Sequence, residues 1–102
     1  MENIPIMGKP IIVCAAIKFI FNDEIEPVVI CSPRHWDITM HKLYQVLDDS
    51  IMSVRTDEVQ GFVDQFGTFY DRKDAYRIAL DNNQIVRTVG GVDGVLYSEN
   101  LY

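Results

Sequence analysis

The sequence predicts an α+β fold: an antiparallel sheet of about four strands from two hairpins, two main helices and a docked C-terminal tail. Three observations predict it. Two pairs of β-branched and aromatic segments close around turn signals, Asn22-Asp23 and Phe66-Gly67. Two stretches with apolar residues at helical spacing each follow an aspartate placed to cap them, Asp37 and Asp71. The last segment mixes apolar Leu96 and Leu101 with aromatic Tyr97 and Tyr102, a composition suited to docking rather than fraying.

The elements follow in order. Pro10 ends an N-terminal arm, and Ile11 to Phe21 reads as a strand that is apolar on both faces except at Lys18. Glu26 to Cys31 is its hairpin partner, with Pro27 limiting pairing at the start. Ser32 to Asp37 is a loop, and Met40, Leu43, Tyr44, Leu47 and Ile51 then follow the spacing of one helix. Ser53 to Glu58 is a polar link. Gln60 to Gln65 and Thr68 to Tyr70 form the second hairpin, with Gly67 free to take a positive φ. Asp71 caps the second helix, and Asp74 stands at the third helical position in a loose capping box. Ala75, Ile78, Ala79 and Asn82 lie on one stripe, and Asn82-Asn83 stops the helix. Gln84 to Val89 reads as a short strand, and Gly90 to Gly94 as a flexible loop.

The 102 residues fit one domain, 1–102. With 48% hydrophobic and 24% charged residues, the chain has enough apolar surface to fold around a core. Nine Lys plus Arg stand against fifteen Asp plus Glu, for a net charge of -6. That balance opposes binding of a nucleic-acid polymer, which needs many phosphate contacts at once. It leaves room for a small anion held by two or three arginines. The longest apolar stretch is too short to span a membrane, and the start is too polar for a signal peptide. A cytosolic protein is expected. Cys14 and Cys31 sit in apolar runs with no zinc spacing, so no metal and no cofactor is expected.

Four constellations could carry chemistry. Arg34-His35 precedes a helix, where free N–H groups and the dipole favour an anion; the alternative is a surface arginine and a packed histidine beside Trp36. Phe62, with Phe69-Tyr70-Asp71-Arg72, offers aromatic faces for a base and an arginine for phosphate. On its own, Phe69 reads as core, Phe62 as either, and Asp71 as a cap. The glycine loop 90–94 has neither P-loop nor dinucleotide-binding spacing. The tail 97–102 can close a pocket or meet a partner. No catalytic set has a recognisable signature, so no enzyme activity is expected.

Gln60-Gly61-Phe62, Gly67, Phe69, Arg72, Ala75, Ile78-Ala79, Gln84 and the closing Leu96 to Tyr102 together resemble a family of small phage and prophage proteins. That family includes a Thoeris anti-defence sponge, which captures glycocyclic ADP-ribose immune signals. The resemblance covers residues 60–102 and reaches loosely to Arg34-His35. Two features depart from it: Asn100 stands where Asp is expected, and the link Ser53–Glu58 has no match. It implies sequestration of a cyclic nucleotide without cleavage, in the host cytoplasm. It also implies a homo-oligomer, a dimer or dimer-based hexamer, with pockets between protomers. Carried over, Phe62 would stack on the base, and Phe69 is a further ligand-binding candidate. Asp71 and Arg72 would contact ribose or phosphate, and Arg34 and His35 would complete the anion grip. Arg87, on position alone, and Asn100 are further ligand-binding candidates. The alternative is a phage structural or protein-interaction module with no nucleotide ligand.

Overall fold

The structure, a computed structural model, describes residues 8–22, 25–87 and 94–102. Strands β1 (Ile12–Ile20), β2 (Val28–Ser32), β3 (Asp57–Asp64) and β4 (Phe69–Asp71) form one sheet in the order β2-β1-β3-β4. Every neighbouring pair is antiparallel. The helices are α1 (Ile38–Gln45), α2 (Asp49–Met52) and α3 (Arg72–Asp81), and a 3-10 turn spans Ser98–Asn100. The α+β architecture expected from the sequence is present.

β1 is the central strand because nearly every residue in it tolerates burial. Ala15, Ala16, Ile17 and Phe19 are fully buried. Side chains alternate across a pleated strand, so Ala15, Ile17 and Phe19 share one face. Ala15 lies opposite Phe62 of β3, and Ile17 opposite Ile30 of β2. All three helices cover that face. One cluster joins Ile12, Ala15 and Phe62 to Ala75 and Ala79 of α3 and to Leu96. The other joins Ile17, Phe19 and Ile30 to Met40 of α1 and Met52 of α2.

The far face carries Cys14, Ala16 and Lys18 of β1 and is closed in part by Phe69. Lys18 lies there with its ammonium 5.7 Å from the Phe69 ring centre. Gly61 is required beneath that ring. A Cβ at this position would meet the Tyr70 carbonyl oxygen at 2.0 Å and Phe69 Cζ at 2.7 Å. The first contact is with paired backbone, which cannot swing aside. Gly61→Ala is therefore expected to destabilise the fold by about 1–3 kcal/mol. A urea unfolding curve would show this as a lower midpoint with an unchanged slope.

Three expectations are corrected. The single helix from Met40 to Ile51 is broken in two. Asp48 leaves the helical path and its carboxylate accepts from Ser50 N–H at 2.9 Å, which caps a new helix, α2. An aspartate that can bond backbone amides locally offers the chain an alternative to continuing. The strand expected from Gln84 is also absent over residues 84–87. The Gln84 side chain takes its place. Its amide accepts from Ile12 N–H at 2.9 Å and donates to Ile12 C=O at 2.8 Å, satisfying the end of β1 as a neighbouring strand would. The remaining positions of that expected strand, 88–89, and most of the glycine loop, 90–93, lie outside the described residues.

The polar link is shorter than expected, because β3 starts at Asp57, which pairs with Ile20. Both expected caps are present. Asp37 accepts from Met40 N–H, and Asp71 from Lys73 and Asp74 N–H. Gly67 has φ +82°, and Asn83, at the end of α3, φ 55°.

Candidate functional site

The loop between β2 and α1 is tightly tied. Ser32 Oγ donates to Arg34 C=O at 2.7 Å, and Arg34 N–H donates to the Asp37 carboxylate at 3.1 Å. Trp36 completes the bend in the left-handed region, with φ 54°. Its N–H meets Met40 Sδ at 3.1 Å. This shape sends His35 inward onto the sheet and leaves Arg34 at the surface.

His35 Nε2 lies 2.8 Å from Gly61 C=O and 3.2 Å from Ala16 C=O. Carbonyls only accept, so Nε2 carries the proton and Nδ1 is the acceptor. Nδ1 faces Ser98 Oγ at 3.4 Å and Arg72 Nη2 at 3.5 Å. The ring edge meets Phe62 at 5.1 Å between centres, with an 86° interplanar angle. Burial, and then the Arg72 charge, hold the imidazole pKa below its ordinary value. The ring is therefore neutral near pH 7.

That depression has a stability consequence. Below the ordinary histidine range, about 6.5, the unfolded chain binds a proton that the folded ring resists. Stability should thus fall as the pH drops from 7.5 to 5.5. Urea midpoints across that range are expected to decline in the wild type and to vary less in His35→Gln.

Arg72 opens α3 and ties three segments together. Nη1 donates to Leu96 C=O at 2.7 Å and Nη2 to Gln60 Oε1 at 2.6 Å. Its guanidinium lies 4.9 Å from the Tyr97 ring centre. The backbone adds Leu96 N–H to Arg72 C=O at 2.9 Å. Arg34 meets the end of the tail. Its Nη1 is 3.2 Å from Glu99 Oε2, Nη2 donates to the Tyr102 backbone oxygen, and the group lies 5.3 Å from the Tyr102 ring centre. Tyr102 Oη donates in turn to Pro33 C=O.

Residues 11–102 match the family described as phage T4 y16D protein. The chain belongs to that family. No solved structure matches the chain.

In this y16D-family chain, Phe62 and Arg72 both meet His35 from distant points of the sequence, while the Arg34 side chain meets the tail at the surface. Phe62 meets His35 from below. It is fully buried, so its ring lies under His35 and offers no face to a base. Phe69 points to the other side of the sheet, one residue out of step with Tyr70, which pairs with Phe62. Asp71 lies exposed beside Arg72, with its Oδ1 committed to the start of α3. Asn100 is buried, and both ends of its amide are engaged. Oδ1 accepts from Tyr97 N–H at 2.8 Å, and Nδ2 donates to Arg87 C=O at 3.2 Å. Arg87 itself is exposed and contributes that backbone oxygen.

The sequence marks the tail 97–102 as able to close a pocket, without singling out Tyr97, Ser98, Glu99 or Tyr102, and gives Gln60 no site role. The usable signal was the alternation of aromatic and polar types in the tail, which suits a segment stacking on arginines.

Among the described residues, the closest approach to a nucleophile–base pair is Ser98 with His35. Ser98 is 3% exposed, and His35 is oriented by two carbonyls rather than a carboxylate, so this pair neither meets solvent nor has the third member of a triad. Among the described residues, no group of three or more His, Cys, Asp or Glu could hold a metal ion. No helix among them is long and apolar enough to cross a membrane. A cleft of about 330 Å³ lined by Lys9, Pro10, Ile78, Asp81 and Asn82 lies at the other end of α3 from Arg72.

Proposed function

We propose that this phage-family protein captures a small cyclic nucleotide and holds it without turnover, withdrawing an immune signal of the glycocyclic ADP-ribose type in the host cytoplasm. The observation that carries the reading is a pair of guanidinium groups, each stacked on a tail tyrosine. Arg34 lies 5.3 Å from the Tyr102 ring centre and Arg72 4.9 Å from that of Tyr97. Arginine forks suit phosphate, and adjacent aromatic faces suit a base. Because Phe62 is buried, base stacking is assigned to Tyr97 or Tyr102. The resemblance of the tail to the sponge-containing family supports the same assignment. A second protomer over the exposed Arg34 edge would enclose the ligand and slow its release.

The energetics are adequate. Nanomolar affinity corresponds to about -12 kcal/mol. A stacked base supplies ~1–3 kcal/mol, and each hydrogen bond to a charged group ~1.5–3 kcal/mol. A rigid cyclic ligand loses little freedom on binding. Capture without cleavage is supported by His35, whose Nε2 proton is already committed to two carbonyls and is not placed for a substrate.

The test is ligand recovery. Glycocyclic ADP-ribose incubated with the protein, released by heat and chromatographed should elute unchanged. An altered product would replace capture with cleavage.

A further inference from the structure

We infer that Glu99 and the Tyr102 backbone oxygen occupy the seat that a ligand phosphate takes on Arg34, so that anion binding and tail release are one event. The inference rests on the nucleotide-binding reading and adds its regulation. Both terminal nitrogens of the Arg34 guanidinium meet tail oxygens, Nη1 a Glu99 carboxylate oxygen at 3.2 Å and Nη2 the Tyr102 backbone oxygen. Two oxygens facing the two prongs of the fork is the arrangement a phosphate would present. The tail thus supplies both the charge and the geometry of a ligand anion.

The contact is built to be exchanged. The Arg34 and Glu99 side chains are 41% and 53% exposed, and exposed pairs of this kind are weak and easily screened. The residues around Glu99 are anchored differently. Leu96, Ser98 and Asn100 are buried, and Arg72 grips Leu96 C=O at 2.7 Å. The Glu99 side chain and the Tyr102 contact can therefore leave Arg34 while Leu96, Ser98 and Asn100 stay docked. Arg72 is held differently, by a backbone carbonyl and the Gln60 amide, with the His35 ring at 3.5 Å. Arg34 is the gate, and Arg72 the fixed post.

The test compares the full chain with Glu99→Gln, using inorganic pyrophosphate as the probe. Glu99 is exposed, so the variant keeps the folded core. Removing the competing carboxylate should tighten pyrophosphate binding about two- to fivefold, the range expected for losing one exposed ion pair. The Tyr102 amide, which donates to Ser98 C=O at 3.3 Å, should exchange hydrogen faster in Glu99→Gln, and also in the wild type once pyrophosphate is bound. Equal affinities together with unchanged Tyr102 exchange would overturn the inference and leave the binding reading standing. Absence of pyrophosphate binding by both chains would also overturn the inference, and absence of glycocyclic ADP-ribose binding as well would overturn the nucleotide reading.

Discussion

Arg72→Ala is expected to weaken nucleotide binding by roughly ten- to a hundredfold, the loss of one charge-assisted contact worth ~1.5–3 kcal/mol. The same change should loosen the tail. Arg72 holds Leu96 C=O, Gln60 Oε1 and the Tyr97 ring at once, and alanine abandons all three. Faster amide hydrogen exchange over residues 96–102 would report the loosening directly. Arg72→Lys should not restore binding, because a single ammonium cannot hold two divergent acceptors and also present a planar face to Tyr97. If Arg72→Ala bound nucleotide as well as the wild type, the ligand seat would lie elsewhere.

His35→Ala should give the largest loss of stability, about 3–4 kcal/mol. Part is the cavity left beside Phe62, and part is the lost hydrogen bonds to the Gly61 and Ala16 carbonyls. A chain of this size is stable by only about 5–15 kcal/mol, so the deficit is a large share. Chemical denaturation should show it as a lower midpoint. His35→Gln keeps an amide donor and an acceptor and should recover part of the loss. A midpoint in His35→Ala equal to the wild type would contradict the placement of this ring between the sheet and Arg72.

The sheet was legible because its signals are local. Runs such as Ile11 to Phe21 and turns such as Phe66-Gly67 carry their own instructions, and so do the caps Asp37 and Asp71. Tail docking could be read from Leu96 and Tyr97 for the same reason. What failed to show were choices decided at a distance. Asp48 reads equally as a helix end or as the cap of a new helix, and packing of Met52 into the core favours the second. Gln84 sits in a run with strand character, yet its side chain serves β1 better than its backbone would. For Phe62, register decides. Its pairing with Ala15 and Tyr70 puts the ring in the core, and a slip of one residue would have put it on the other face. The convergence of Arg34, Arg72 and the tail follows from that same register, which no single segment encodes.

The most direct measurement of the central claim is a calorimetric titration of the purified protein with glycocyclic ADP-ribose. The account predicts tight binding with a defined number of sites per protomer. No heat with this ligand, and none with cyclic oligonucleotides, would contradict nucleotide capture and leave the clustered arginines and tyrosines as the clasp of a phage assembly module.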